Sequence, residues 1–327
     1  MMQRWLPALV ALALAGCAVN PKVEYAEMPR TYAHGIGGAT FLIGGNFNPF
    51  SQPDGNSLIL YGPEGAFVID TGRHADHVIA VKQGLSGIGM TPVAIVNTHW
   101  HLDHVSGNPA LKAAFPGIKV YGTSAIDGAL AGFLARTADA YRKAIAEGNI
   151  PVGARADIEG DLATIARGAE LRPDVIVDES RDMTIAGRPL SLRIAHNAVT
   201  ERDLWIYDAA EKRAIVGDLV TVPVPFLDTA CPDGWLKALG DVAASGARQV
   251  VPGHGPVMGI AEFGRWKRAF TDFIACAQGQ GALEACSGGW LKDAARWIGP
   301  DPSRAEAMAI YYAEQIRSGK LDGYCTA

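Results

Sequence analysis

The sequence predicts an α/β protein of four layers, two β-sheets packed face to face with helices on both outer sides, an αββα sandwich. Three observations predict it. Apolar, β-branched runs of strand length recur along the chain, and several end on an aspartate or a histidine. Stretches rich in Ala, Leu, Arg and Glu at helical spacing lie between and after them. Finally there is an internal repeat: Phe67–Asp70 leads through a helix to Ile95-Val96 and His99, and Ala214–Asp218 leads through a helix to Val250-Val251 and His254. Each half thus delivers an Asp and a His from two strand ends to one edge, which places a site in the cleft along that edge.

The chain has 327 residues, 49% hydrophobic and 19% charged, enough for one large domain with an appendage. Its formal charge of -5 and the lack of any long basic block give a nucleic-acid partner no electrostatic support.

Residues 1–16 read as a signal peptide, with Arg4 before the short apolar stretch Leu6–Leu14, too short to span a bilayer. Leu14-Ala15-Gly16-Cys17 looks like a bacterial lipobox, which implies cleavage before Cys17 and a lipid on it. The expected location is the bacterial cell envelope, lipid-anchored; Ala18 resembles proteins sorted to the outer membrane, on its periplasmic side. Residues 17–34, with Pro21 and Pro29, form a tether.

In that oxidising setting Cys231, Cys276, Cys286 and Cys325 suggest two disulfides with three possible pairings. The favoured pairing is Cys276–Cys286, closing a short loop between two helices, which leaves Cys231–Cys325 to pin the C-terminus.

The main domain, 35–260, opens with strands at Ala39–Ile43, Ser57–Tyr61 and Gly65–Asp70. Between the first two lies a Gly-, Pro- and Asn-rich loop carrying Phe47 and Phe50, which either cover a substrate or pack beneath the loop. Asp70-Thr71-Gly72 closes the third strand. The run Val93–Thr98 is a buried strand leading into the histidine loop; a helix near Asn108–Phe115 and a strand at Lys119–Tyr121 follow.

Ala125–Glu147 and Ala154–Ala169 are helices of an insertion spanning about 124–172. Strands return at Val175–Val177, Met183–Ala186, Leu190–Ala195, Leu204–Tyr207 and Arg213–Val216, then a helix near Trp235–Ala244 and the strand Arg248–Val251. Thr221–Trp235, rich in proline, is a stiff loop beside the site with Phe226 and Trp235 either as a substrate wall or as core anchors. Residues 261–327 form a helical extension with Trp266, Trp290 and Trp297 packed on the sandwich.

The chemistry sits in His99-Trp100-His101-Leu102-Asp103-His104. In an extended segment His99, His101 and Asp103 face one way, and His104 lies where the chain turns. Imidazole nitrogens and carboxylate oxygens are donors that Zn²⁺ accepts. A single loop rarely completes a two-metal site, so further ligands are expected downstream at strand ends: His196, Asp218 and His254.

These pieces, with Gly217-Asp218 and the Pro252-Gly253-His254-Gly255 turn, resemble the metallo-β-lactamase superfamily in the family's order. The resemblance implies two Zn²⁺, one bound by His99, His101 and His196 and one by Asp103, His104 and His254, with Asp218 bridging; iron or manganese suits the same ligands. It makes Asp70 a supporting residue that holds the loop or a ligand histidine. One departure is visible: the stretch from His196 to Asp203-Leu204 is longer than the family's Thr-Pro-Gly-like turn and has no glycine.

The expected activity is metallo-hydrolysis of an ester, thioester, lactone or amide-like bond in a small molecule. A metal-shared hydroxide is the nucleophile, with Asp103 and Asp218 as the catalytic carboxylates. A bridging Asp is usually lacking in β-lactamases proper, so Asp218 favours the thioesterase, lactonase and sulfatase-like branches. The alternatives are a β-lactamase, an iron enzyme using flavin or dioxygen, and a non-catalytic metal-binding or redox-accessory envelope protein.

Overall fold

The computed structural model describes residues 33–48 and 51–326. The signal peptide, Cys17, most of the tether and Phe50 lie outside the described residues.

Two sheets form the centre. The first contains β1 (His34–Gly35), β2 (Thr40–Ile43), β3 (Ser57–Gly62), β4 (Gly65–Ile69), β5 (Pro92–Val96), β6 (Lys119–Gly122) and β7 (Val175–Ile176), side by side in that order. The second runs β13 (Met258–Gly259), β12 (Gln249–Val251), β11 (Arg213–Ile215), β10 (Arg202–Asp208), β9 (Arg188–His196) and β8 (Arg181–Ile185). Pairing is antiparallel except for β4 with β5, β5 with β6, β6 with β7, and β11 with β12.

Strand alternation sorts the core into layers. Leu58, Leu60, Phe67, Ile69, Ala94 and Val96 of the first sheet meet Leu190, Leu192, Leu204, Ile206, Ile215 and Val251 of the second. On the other face of the first sheet Ile59, Val68, Ile95 and Val120 pack on α1 (Ala75–Gly87) and α3 (Asn108–Ala114). The second sheet turns Ala195, Trp205, Ala214 and Val250 toward α8 (Pro232–Ala244), α9 (Ile260–Gln278), α10 (Leu283–Asp293) and α11 (Ser303–Arg317). Both faces of the first sheet are therefore covered at β4 and at Ala94–Val96 of β5, which is why these read as unbroken apolar runs and not as alternating ones.

The insertion is helical: α4 (Ala125–Ala131), α5 (Phe133–Glu147), α6 (Arg155–Ala166) and α7 (Gly168–Leu171). Gly148 ends α5 in the left-handed conformation, φ 69°. Cys231 pairs with Cys325, and Cys276 with Cys286. Of the two readings of Trp235 the structure selects the core anchor, since it is wholly buried and donates its indole N–H to Leu219 O, anchoring α8. Trp266 and Trp290 are likewise buried under the C-terminal helices. Among the described residues no helix is long and apolar enough to cross a membrane.

The functional edge lies where parallel strands stop. β4 hands the chain to Asp70, β5 to His99, β11 to Asp218 and β12 to His254.

Candidate metal centre

Two groups of donors gather at that edge. Asp103, His104, Asp218 and His254 form one, all buried; His99, His101 and Asp218 form the other, with Asp218 common to both. Within each group the potential ligand atoms lie within 4.8 Å of one another.

The histidine loop is not extended throughout, as the alternation expects. The chain turns helical at His101, and α2 (Leu102–Val105) carries Asp103 and His104. A helix sends consecutive residues about 100° apart and not to opposite faces, so the loop divides into the pairs His99/His101 and Asp103/His104.

His196 is a second correction, because the structure does not bring it to either group. It ends β9 opposite Arg202, exposed. The hairpin beyond it closes through Asn197 N–Glu201 O and Ala198 N–Thr200 O, with Asn197 at φ 47°. That longer turn carries buried Ala198 and Val199, while the imidazole of His196 stays out at the rim.

Hydrogen bonds fix which nitrogen faces inward in His99, His104 and His101. Thr98 donates its hydroxyl to Asp70 Oδ2 (2.7 Å), so the 3.0 Å contact with His99 Nδ1 makes that nitrogen the donor. His104 Nδ1 donates to Asp70 Oδ2 (2.8 Å), and Asp70 Oδ1 accepts from Thr98 N (2.8 Å). Asp70 thus orients two histidines, one directly and one through Thr98, from a left-handed backbone at φ 54° that a non-glycine adopts at a cost of about 1–3 kcal/mol. Thr229 donates to Val199 O (2.9 Å), so His101 Nε2, 2.8 Å from its hydroxyl, is also a donor and Nδ1 keeps the lone pair.

The atoms left over fit a cation. His99 Nε2, His104 Nε2, His254 Nε2 and Asp218 Oδ1 are buried with no hydrogen-bond partner. Three such nitrogens converge on two carboxylates: His254 Nε2 lies 3.0 Å from Asp103 Oδ2, His104 Nε2 3.1 Å from Asp218 Oδ1 and His99 Nε2 3.6 Å from Asp218 Oδ2. Each unsatisfied buried group costs about 1–3 kcal/mol, and divalent cations held by the two groups would satisfy them. Backbones also approach closely. A Cβ on Gly253 would sit 2.0 Å from Asp218 Oδ1, and one on Gly55 2.4 Å from His104 Cε1.

The electrostatics carry the same demand for positive charge. Burial lowers the His254 pKa, but Asp218 and Asp103 outweigh it and raise it to about 9. The same carboxylates with Asp70 raise His104 well above the usual imidazole value against burial. His101 goes the other way, lowered to about 3 by burial and by His99.

Sequence reading missed the residues behind Asp103. Arg73 lies 3.7 Å from Asp103 Oδ1 and reaches Asp161 of α6 at 2.5 Å, and Tyr141 of α5 donates to Asp161 at 3.5 Å. Asp161 stands at an apolar-face position of α6, three residues after buried Ile158, and a carboxylate there was the available signal. Thr229 left none. Near the mouth, Phe226 stacks edge-on to His254 with centroids 5.1 Å apart, and Phe47 meets Phe226 at 5.9 Å.

A two-sheet α/β sandwich with histidines and aspartates converging at its strand ends is the architecture of a metal-site protein of the metallohydrolase kind. The family model described as Metallo-beta-lactamase superfamily matches residues 52–255, and the chain belongs to that family.

Among known proteins, it is 44% identical to a hydroxyacylglutathione hydrolase of Enterobacter sp. (strain 638) over 55 residues, 17% of this chain and 20% of that one. It is 26% identical to a linear primary-alkylsulfatase of Pseudomonas sp. (strain ATCC 19151) over 240 residues, 66% of this chain and 44% of that one. The chain therefore spans less than half the length of either relative. The solved metallo-beta-lactamase from Pontibacter korlensis shares the fold with TM-score 0.53 at 18% identity, covering 74% of this chain and 99% of that one. DIM-1 metallo-beta-lactamase does so with TM-score 0.53 at 16% identity, covering 75% and 99%.

Proposed function

We propose that the protein is a metal-dependent hydrolase of small molecules, zinc being the preferred ion and a thioester the preferred bond. The observation that carries this reading is the set of inward-facing, unpartnered imidazole nitrogens around Asp103 and Asp218. Asp103, His104, Asp218 and His254 would hold one ion, and His99 and His101 with Asp218 a second. A divalent ion bound there supplies a water that ionises near neutral pH and polarises the bond to be cleaved.

The residues contribute the rest. Arg73 holds Asp103 Oδ1, which leaves Oδ2 for the ion and for orienting the water that the ion would supply. Asp70 and Thr98 keep His104 and His99 in the tautomers that present Nε2. Phe226 and Phe47 give the approach to His254 an apolar wall suited to an acyl group.

The thioester preference rests on the local likeness to hydroxyacylglutathione hydrolases, seen also at 40% identity over 81 residues with one from Synechococcus sp. (strain JA-3-3Ab), 24% of this chain and 31% of that one. The longer alkylsulfatase match supports a sulfate ester as second reading. Lipid attachment at Cys17 and an envelope location are part of the same proposal, supported by the Leu14–Cys17 motif alone.

The test is turnover of thioester, sulfate-ester, lactone and β-lactam substrates by the zinc-loaded protein. Thioester hydrolysis is expected, falling by about two to four orders of magnitude in Asp103→Asn. A folded, metal-loaded protein that turns over none of them would favour the accessory role.

A further inference from the structure

Given a metal-dependent centre, on which this rests, we infer that its two halves are unequal: the first divalent ion enters the Asp103, His104, Asp218, His254 group, and the His99/His101 half takes a second ion at least about tenfold more weakly.

Ligand count is the first reason. Zn²⁺ in a closed site takes four protein donors. The first group has three donors of its own and four with the shared Asp218, while the other has two imidazoles of its own and three donors with Asp218. Charge is the second reason. Two carboxylates face the first position, and the only one facing the second is the shared Asp218, so the first ion gains more Coulomb attraction.

The surroundings of His99 and His101 offer no replacement donor among the described residues. His101 Nε2 is committed to Thr229, whose hydroxyl is committed to Val199 O. The turn beside it presents the buried, apolar Ala198 and Val199, and Cys231 N takes the Ala198 carbonyl. Asp203 spends its carboxylate on Val199 N at 2.9 Å, Thr200 N at 3.0 Å and Thr200 Oγ1 at 2.8 Å. His196 is exposed on the rim.

Two imidazoles and one shared carboxylate leave open coordination positions. An open site of this kind admits water and substrate and exchanges its ion with solution. The weak half is then the exchangeable half, and the buried four-donor half is the permanent one.

The experiment is a calorimetric titration of metal-free protein with Zn²⁺, repeated with Co²⁺ read by its visible absorption. Two phases separated by at least about tenfold in Kd are expected. His101→Ala should abolish the weak phase and leave the tight phase within about threefold, and His254→Ala should abolish the tight phase. Two equivalents binding in one phase of equal affinity would overturn the inference while leaving the metal-dependent reading in place. So would loss of the tight phase in His101→Ala with its retention in His254→Ala. No metal binding by folded wild-type protein would instead remove the reading on which the inference rests. The wild-type titration decides the point even where a variant fails to fold.

Discussion

The helical insertion and the C-terminal helices are both additions outside the sheets, yet they are attached by different physics. α9, α10 and α11 bring Phe263, Trp266, Phe270, Phe273, Trp290, Met308 and Tyr312 into the largest apolar cluster of the molecule. Their indoles also satisfy backbone carbonyls of the loop after Asp218: Trp266 donates to Thr221 O at 3.0 Å and Trp290 to Pro223 O at 2.9 Å. The Cys231–Cys325 disulfide adds to this attachment, while Cys276–Cys286 joins α9 to α10 within the layer. The insertion has modest apolar contact, Ile126, Ala129, Leu134 and Leu171 against Trp100, Leu102 and Val105 of the histidine loop.

The insertion's remaining inner contacts are polar. Asp161 meets Arg73, and Asp157 accepts from Gln52 N at 2.5 Å and lies 3.3 Å from His74 Nε2. The C-terminal layer is thus part of the core, whereas the insertion is tied by charge to Arg73, which touches the candidate ligand Asp103. Damage to the first should cost stability without changing the centre, and damage to the second should reach the centre.

Trp266→Ala should show the largest effect. Truncating a fully buried indole costs about 3–5 kcal/mol. Thermal unfolding should fall accordingly, while the zinc bound per folded molecule stays at the wild-type level.

Asp161→Ala breaks the comparison from the other side. It leaves Arg73 buried without its nearest carboxylate, a loss of about 3 kcal/mol, and frees Arg73 to shift against Asp103. Metal affinity measured by chelator competition should weaken about 10–100-fold, the range for removing a ligand's supporting partner. An unchanged affinity would make the insertion a layer like the C-terminal one.

The smallest effect is a pH dependence at the seam between insertion and sheet. Burial would raise the Asp54 pKa, but hydrogen bonds and charge from His74, with charge from His77, lower it from 3.8 to about 2. The sign follows from linkage: the stabilisation is complete above 3.8 and is lost as pH falls toward 2, amounting to about 2 kcal/mol. The hydrogen bond to Asp54 raises the His74 pKa against burial, so the His74 contribution is complete below 6.5 and is lost as pH rises through the raised value. Melting curves of wild type and Asp54→Asn should therefore differ most between the two losses and converge at low pH.

Much of the architecture was legible because burial on both faces forces apolar runs, as in Phe67–Ile69 and Ala94–Val96, and because the repeat marks where parallel strands end. The donors at those ends, His99, Asp218 and His254, could be placed for the same reason. Other placements depended on contacts between distant segments. The helical turn at Leu102 follows from packing of Trp100, Leu102 and Val105 on the insertion, which periodicity in a six-residue motif does not express. Where His196 lands depends on how a turn closes, and that turn's length was visible in the sequence while its direction was not. Arg73 next to Asp-Thr-Gly carries no motif, and it is identified only when Asp103 and Asp161, 30 and 88 residues away, are brought to it.

Asp218 belongs to both donor groups, so the most direct measurement is elemental analysis of zinc on purified wild-type protein and on Asp218→Ala, with circular dichroism to confirm that both are folded. Wild-type protein should retain zinc in stoichiometric amount after removal of excess metal, and Asp218→Ala should lose most of it. A folded Asp218→Ala protein with undiminished zinc, or a folded wild type that binds none, would contradict the assignment of this strand-end cluster as a metal centre.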